Sequence, residues 1–488
     1  MNSPFPSRTV PARSARTLFV DMDETFLEVD CLAEMLAWCL RRQPLAILQF
    51  LWTLVRYGKP RAKHELAARC PLDWSSLPVN SQVLAICHAW ARSGRPVILA
   101  SASPESFVAA VAATHGCFDG HFGSDAGVNR KGTAKLDRIV SMTDGRAFAY
   151  IGDSAADLPL LRQATEGYLV DRRSALVRSL PRLGIQVSLI HSRAGGAAAV
   201  LRSMRLHQWV KNVLLFVPLV AAHRFADWAA IGAVCLMFLA MGMVASATYI
   251  ANDLFDLDSD RKHPRKRNRP LASGALSIKT GVLVAAGLML AGIVLAAALS
   301  VEAVLLLAAY TVATLTYSLR LKAYVIIDAL TLAGLYTFRV MAGAIVASIT
   351  LSFWLAAFSM ALFLSLAMVK RCAELESLRS RLEGATHGRD YRVSDLMILT
   401  GMGLAAGYAA VLLLALYVDQ HAAKHYTYPA LLWLICPLLL YWINRLWVKT
   451  GRGEMHDDPI VYTFRDRGSL LTVVATMAVF LLALLVRP

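Results

Sequence analysis

The chain has 488 residues, 57% of them hydrophobic, a formal net charge of +16 and a mean hydropathy of +0.49. That is too apolar for an enzyme soluble throughout, yet roughly the first 190 residues read as ordinary globular sequence, so two unlike halves are expected. The basic residues gather beside apolar spans, as anionic lipid headgroups or phosphorylated substrates require, so a nucleic-acid partner is not expected.

In chain order, residues 1–16 form a basic tail with no apolar segment of secretory type behind it, and the first half is expected to stay in the cytoplasm. Thr17-Leu18-Phe19-Val20 reads as a buried parallel strand that ends directly in DMDETFLEVD. A second run, Val97 to Ala100, ends in Ser101, and a third, Ala149 to Ile151, ends in Gly152-Asp153-Ser154-Ala155-Ala156-Asp157. Lys131 stands between them in Asn129-Arg130-Lys131-Gly132. Acids at the carboxyl ends of parallel strands sit where open α/β sheets bind ligands. A carboxylate nucleophile, a second acid two residues on, hydroxyl and ammonium groups for phosphate oxygens and further carboxylates for Mg²⁺ make chemical sense as a phosphoryl-transfer site.

In this order the motifs resemble the haloacid dehalogenase phosphatase superfamily. The resemblance implies a Rossmann-like α/β domain over residues 17–190, with a helical cap at about 27–95 laid out as in the phosphoserine phosphatase branch. It implies that Asp21 forms a phosphoaspartate and that Asp23 protonates the leaving oxygen and later activates water. Ser101 and Lys131 would hold the phosphoryl group. Asp21, the Asp23 carbonyl and Asp153 would hold Mg²⁺, with Asp157 supporting it. Within the cap, Leu45 to Val55 is apolar on nearly all sides and too short to span a bilayer. It is either cap core or a surface touching the membrane, and core is the expected reading. The cysteines at 31, 39, 70, 87, 117, 235, 372 and 436 show no metal-ligand spacing and read as reduced core residues.

Residues 191–208 read as a linker, with Ala197 to Gln208 a helix lying on the cytoplasmic face through Arg202 and Arg205. From Trp209 the chain reads as an all-α membrane domain of nine apolar spans: about 209–224, 229–251, 278–300, 302–319, 325–347, 352–370, 395–418, 428–447 and 468–486. With the N-terminus inside, the cytoplasmic connections carry nearly all the Arg and Lys, Arg224 and Lys424 being the main exceptions. The chain is thus expected to be a multi-pass inner-membrane protein, its phosphatase-like half in the cytoplasm and its C-terminus outside.

Between the second and third spans lies Asn252 to Gly274, NDLFDLDSDRKHPRKRNRPLASG. If it is helical, Asp253, Asp256 and Asp260 fall within about 60° of one another, a stripe of carboxylates suited to a divalent cation. Asp258 lies off that stripe and is expected to be solvated. Further on come Tyr317, Lys322, Asp328 and, inside the fifth span, Arg339; an ionisable group within a span is by default a functional hypothesis. Asp328 and Arg339 lie about three helical turns apart and so are expected to face the same way. Lys211 and Asn212, Lys370, Arg371 and Glu374, Arg389 and Asp390, and Asp457, Asp458 and Asp466 complete a polar ring, each singly more in keeping with setting topology than with catalysis.

Asn252, Asp253, Asp256 and Asp260 reproduce the NDxxDxxxD motif of the UbiA superfamily of intramembrane prenyltransferases, and the resemblance covers about residues 200–488. Most members acting on aromatic acceptors also carry a second DxxxD motif, but here Asp328 is followed four residues later by Leu332. Tyr317, Lys322, Asp328 and Arg339, with Gln208-Trp209-Val210-Lys211-Asn212 ahead of them, look like the decaprenyl-phosphate phosphoribosyltransferase branch. That branch implies Mg²⁺, a phosphoribosyl diphosphate donor and a polyprenyl phosphate acceptor, with Lys211, Lys322, Arg339, Lys370 and Arg371 as cationic partners of phosphate. A prenyl diphosphate donor with an aromatic or other acceptor stays open, as do a phosphatase-like half that only binds metabolites and an oligomeric assembly.

Overall fold

The structure is a computed structural model that describes residues 16–125, 130–171, 174–192, 195–380, 389–421, 426, 428–455 and 458–485. Most of the basic tail, Asn129, Lys424 and Asp457 lie outside the described residues. The chain divides into two compact units, one of Met1–Ser203 with Ile250–Val284 and one of Met204–Tyr249 with Ala285–Pro488. The segment bearing the acid row therefore belongs with the α/β unit, whereas the sequence placed the boundary near residue 190.

The first unit is built on six parallel strands: β1 (Thr17–Asp21), β2 (Val97–Pro104), β3 (Gly120–Ser124), β4 (Phe148–Gly152), β5 (Glu166–Asp171) and β6 (Ser188–His191). Their order is β3-β2-β1-β4-β5-β6, so the chain leaves β1 first to one side and then to the other. This makes the carboxyl end of β1, between β2 and β4, the switch point at which such sheets bind ligands. Leu18, Val20, Leu99 and Ile151 pack on one face of the sheet, and Phe19, Ile98 and Tyr150 on the other. Burial on both faces explains why these strands read as unbroken apolar runs.

Between β1 and β2 lie α1 (Cys31–Arg42), α2 (Pro44–Tyr57), α3 (Lys59–Ala67) and α4 (Ser81–Arg92). Asp30 caps α1 by accepting from the Leu32 and Ala33 N–H groups, and Asn80 caps α4 in the same way. Helix α2 corrects the expectation of cap core. Only Ala46, Phe50 and Thr53 are buried on it, while Leu45, Leu48, Trp52 and Val55 are exposed. Helices α5 (Glu105–His115), α6 (Thr133–Thr143), α7 (Leu158–Gln163) and α8 (Ser174–Ser179) complete the α/β layers, and α9 (Gly196–Met204) follows the sheet.

In the second unit, α10 (Val217–Ala221) is preceded by tight 3₁₀ turns over Leu206–Phe216. The first expected span is therefore not a regular transmembrane α-helix. Lys211 and Asn212 turn inward to polar partners in this segment, and Pro218, which cannot donate a hydrogen bond, starts α10. The remaining helices are α11 (Trp228–Phe255), α12 (Leu257–Lys262), α13 (Ile278–Ala297), α14 (Val301–Leu319), α15 (Ile327–Val346), α16 (Phe353–Arg379), α17 (Leu396–His421), α18 (Ile435–Gly451), α19 (Pro459–Thr463) and α20 (Arg467–Leu485). Among the described residues seven helices are long and apolar enough to cross a membrane, and Arg467–Ala483 is a shorter apolar helix, against nine expected spans. A Cβ on Gly343 would meet the Leu215 carbonyl at 2.0 Å, so α15 needs glycine there to admit the 3₁₀ segment.

The segment from Leu257 to Lys279 is bound to the cap by charge. Arg261 donates to both carboxylate oxygens of Glu34, at 3.0 and 2.5 Å, with their side chains only 3% and 1% exposed. Arg41 pairs with Asp258 at 3.0 Å, Lys262 with Asp73 at 2.9 Å and Lys279 with Asp30. Asp258 is thus solvent-accessible, its side chain 44% exposed, and also pairs with Arg41. Gly274, at φ +77°, lies against the Glu28 backbone with no room for a Cβ.

Removing one partner of a buried ion pair strands the other charge, at a cost of about 3–5 kcal/mol. Glu34→Ala is expected to speed amide exchange in α1 by about two decades, while Glu34→Ala with Arg261→Met recovers most of the protection. Hydrogen exchange read by mass spectrometry on the full chain checks both; unchanged protection in Glu34→Ala would show that the pair does not hold the helix.

Candidate functional site

Directly after β1 the chain makes a tight loop in which Glu24 takes a left-handed conformation (φ 58°) and the Leu27 N–H returns to the Met22 carbonyl at 2.9 Å. This turn presents Asp21 and Asp23 side by side at the strand end. The Asp21 carboxylate accepts from the Lys135 ammonium at 2.6 Å. Thr25 Oγ1 lies 3.4 Å from both Asp21 and Asp153. Asp157 accepts from Tyr150 at 2.6 Å and from the Ser154 hydroxyl at 2.7 Å. Asp21, Asp153 and Asp157 are all buried and can each bring one carboxylate oxygen within 4.8 Å of the others.

Burial pushes the Asp21 carboxyl up to about 7, the Lys135 ammonium pulling against that and Asp157 adding to it. Burial also disfavours charge on Asp157, but Lys135 and the Tyr150 and Ser154 hydrogen bonds outweigh it and hold that carboxyl below its ordinary value. Lys135 is held above the usual lysine value because Asp21 and Asp157 outweigh its desolvation. Three buried carboxylates against one ammonium leave negative charge uncompensated, and an all-oxygen donor set of this kind fits a hard divalent cation such as Mg²⁺.

Asp23 is held differently. One of its oxygens accepts from Ser101 at 3.0 Å and Ser103 at 2.7 Å, the other from the Cys31 N–H at 2.8 Å. It therefore lies beside Asp21 but outside the three-carboxylate cluster, tied to β2 and to the first turn of α1. The expected Lys131 is exposed; the structure puts Lys135, four residues on and in the first turn of α6, against the acids instead.

The acid row is interrupted by a change of helix. α11 ends at Phe255, Asp256 is the N-cap of α12, and Asp260 lies within α12. Amide bonds from Asp256 to the Asn252 carbonyl (2.9 Å) and from Asp260 to the Asp256 carbonyl (2.8 Å) keep helical spacing through the break. Arg269 donates to Asp253 at 3.0 Å and to Asp260 at 2.6 Å, so a guanidinium sits between two of the acids. The other Asp260 oxygen is buried without a hydrogen-bond partner and lies 4.0 Å from the Lys266 ammonium. Burial raises the Asp260 pKa despite Arg269. An orphaned oxygen beside a second carboxylate suits a metal ligand.

In the second unit the expected cations form two groups. Arg371, fully buried, pairs with Asp328, donates to Glu374 at 2.6 Å and contacts the Tyr317 hydroxyl at 3.1 Å; Tyr317 donates to Asp328 at 2.8 Å. The other group centres on Tyr336 and Asp458. Asp458 accepts from Lys211 at 2.8 Å, Lys370 at 3.2 Å and Tyr336 at 3.0 Å. Lys211 Nζ and Arg339 Cζ lie 5.5 and 5.7 Å from the Tyr336 ring centre. Arg339 donates to Asn212 at 3.1 Å and Tyr310 at 2.7 Å, and among the described residues it has no carboxylate partner. Asp328 and Arg339 thus serve different clusters, although one helix carries both. Lys322 lies half-buried in the connection after α14.

Residues 213–456 match the UbiA prenyltransferase family. The chain belongs to that family. Residues 18–162 match the haloacid dehalogenase-like hydrolases, so the UbiA half is joined to an N-terminal domain of that kind. An uncharacterised protein of Sinorhizobium fredii, y4nM, is 33% identical over 471 residues, covering 96% of this chain and 91% of its own. The nodulation protein NoeC of Azorhizobium caulinodans is 36% identical over 270 residues, 55% of this chain and 88% of NoeC. The decaprenyl-phosphate phosphoribosyltransferase of Mycobacterium tuberculosis is 33% identical over 202 residues, 39% of this chain and 66% of that protein.

In the UbiA half the second group gathers two lysines and an arginine about Asp458, with Glu374 also acting on Lys370, so that among the described residues positive charge is in excess and suits an anion. Sequence reasoning missed Lys135, Ser103, Tyr310 and Tyr336. The lysine had a signal: position 135 is the first cation of the helix that follows Gly132, in its first turn, where a side chain can reach back to a strand end. In the hydrolase-like domain, removing a buried cation that positions charge costs about 10²–10³ in rate. Lys135→Met is therefore expected to lower phosphomonoester turnover by at least 100-fold and Lys131→Met by less than threefold. Hydrolysis of p-nitrophenyl phosphate by the purified chain measures both, and the reverse order would return the role to Lys131.

Proposed function

We propose that the UbiA half transfers the 5-phosphoribosyl group from phosphoribosyl diphosphate to a polyprenyl phosphate, and that the hydrolase-like domain then removes the 5-phosphate from the lipid-linked product. The observation carrying the first step is the Arg339, Lys211 and Lys370 group, whose excess positive charge suits a donor bearing both a diphosphate and a 5-phosphate. The likeness to a decaprenyl-phosphate phosphoribosyltransferase supports it. So does Asp328, which is committed to Arg371 and Tyr317 and has no DxxxD partner.

Asp253, Asp256 and Asp260 would hold Mg²⁺, which when bound would neutralise the diphosphate. The bond between the ribosyl anomeric carbon and the diphosphate breaks, its electron pair leaving with pyrophosphate, and an oxygen of the lipid phosphate attacks that carbon. No side-chain nucleophile is needed. The cations hold the leaving group and the 5-phosphate, with Asn212 steadying Arg339 and Tyr317 steadying Arg371; Asn252 and Lys322 are further candidate ligands.

For the second step, Asp21 attacks the phosphomonoester and Asp23 protonates the departing sugar oxygen, then takes a proton from the water that resolves the phosphoaspartate. Lys135 and Ser101 steady the phosphoryl oxygens, and Asp21, Asp153 and Asp157 would hold a second Mg²⁺. The ion pairs between the acid-row segment and the cap support a shared sidedness, which the positive-inside pattern assigns to the cytoplasm. A prenyl diphosphate donor is the second reading, favoured by the family model.

The test is thin-layer analysis of lipids after membranes receive radiolabelled phosphoribosyl diphosphate, polyprenyl phosphate and Mg²⁺. Label is expected in lipid with wild type and Asp21→Asn, with the 5-phosphate retained only in Asp21→Asn, and Asp256→Ala is expected to lower transfer at least 100-fold. No label in lipid from wild type, with label entering lipid from a prenyl diphosphate and an aromatic acid, would replace this reading with prenyl transfer.

A further inference from the structure

The cap helix α2 exposes apolar side chains that a soluble domain would bury. Leu45, Leu48, Trp52 and Val55 are 73%, 63%, 61% and 89% exposed, and their spacing of three, four and three residues sets them on one stripe. Leu51 widens it. Other large exposed apolar residues from the cap to α9 are Leu40, Tyr57, Val140 and Met142 on α6, Leu183, Leu189 and Leu201, and α2 carries more of them than any other element of that stretch.

The charges that flank this stripe in the sequence share one sign, while Glu65 on α3 accepts from Thr53 on the buried face of α2 and pairs with Arg61. Between Glu34 and Glu65 the chain has no acid, and Arg42, Arg56, Lys59, Arg61 and Lys63 bracket the helix. Trp52 sits within the stripe, in the manner of an interfacial aromatic. Position completes the argument. Arg41, three residues before α2, pairs with Asp258, three residues after the end of the long apolar helix α11. Asp30, at the other end of α1, pairs with Lys279, the second residue of the apolar helix α13. Helix α1 is thus fastened to the short segment joining two membrane-length helices, and α2 follows it after one residue.

We infer that α2 lies in the headgroup region of the bilayer, its Leu45–Val55 stripe in the acyl boundary and its flanking cations on anionic lipid phosphates. The partner is the lipid surface of the membrane that the same chain spans. The cap, whose first turn holds Asp23 through the Cys31 N–H, is then tethered at two levels, by ion pairs to the acid-row segment and by lipid under α2. A consequence, resting on the reading proposed above, is that the phosphatase site works at the membrane plane and takes the phosphomonoester of a lipid-linked sugar in preference to a soluble sugar phosphate.

The location is tested on the full chain in nanodiscs containing phosphatidylglycerol, with Cys235→Ser removing the exposed native thiol and a nitroxide attached at Val55→Cys or, as a control, at Val140→Cys on α6. At position 55 the label is expected to collide more with oxygen, which concentrates in lipid, than with a water-soluble nickel chelate, and at position 140 the order reverses. Chelate-dominated collisions at both positions, or dipolar broadening at 55 that reports a second copy, would overturn the inference.

The consequence is tested separately with Leu48→Glu/Val55→Glu, which replaces two exposed side chains. Hydrolysis of a polyprenyl-linked phosphoribose 5-phosphate in the same nanodiscs is expected to fall at least tenfold while hydrolysis of p-nitrophenyl phosphate changes less than twofold. Equal changes in both would overturn the lipid preference. A wild-type chain inactive on the lipid-linked substrate, with the nitroxide at 55 still in lipid, would refute the proposed substrate and leave the membrane contact standing.

Discussion

The buried pair of Arg261 and Glu34 is the constraint from which much of the α/β unit follows. Two charges with almost no solvent contact are stable only if each fully satisfies the other, and the two-oxygen arrangement does that. Arg261 immediately follows Asp260 of the acid row, and Glu34 lies one turn into the helix whose first N–H holds Asp23. A change in the position of α12 is therefore felt at α1, and the placement of Asp23 depends on a segment more than 200 residues away in sequence. The three surrounding ion pairs are more exposed and individually weak. They fix the angle of docking, while the buried pair fixes its existence.

Much of this architecture was legible in the sequence because it depends on local pattern. Apolar runs ending in acids mark strands whose both faces are covered, and β1, β2 and β4 fall where those runs predict. The acid row kept its helical spacing through a change of helix, since hydrogen bonds four residues apart survive the break at Asp256. Spacing alone did not reveal that Arg269 would stand between Asp253 and Asp260, because that contact depends on how the chain returns after His263.

Where the reading failed, a partner distant in sequence or a second solvent decided the outcome. Leu45 to Val55 looked like core on the assumption that apolar surface avoids exposure; in a chain with seven membrane-length helices that assumption loses its force. The segment at 209–224 looked like a span, but Lys211 and Asn212 face inward to Asp458 and Arg339, and a run that commits two polar side chains to other helices need not be a regular one. Lys131 looked like the phosphate ligand by order in the chain, and the turn of α6 gave that place to Lys135.

The two chemical centres have opposite charge logic, and the difference follows from what each must recruit. At the end of β1, three buried carboxylates face a single ammonium, and the shortfall of positive charge pushes Asp21 up to about 7. An all-oxygen cluster short of positive charge suits a hard divalent cation. Around Tyr336 the imbalance is reversed: among the described residues Lys211, Lys370 and Arg339 gather about Asp458, with Glu374 also acting on Lys370. Burying that excess is costly without an anion to meet it. Each centre thus lacks the charge that a ligand of opposite sign would bring, a hard cation at the acids and an anion at the cations, and the two deficits arise in separate units of the chain.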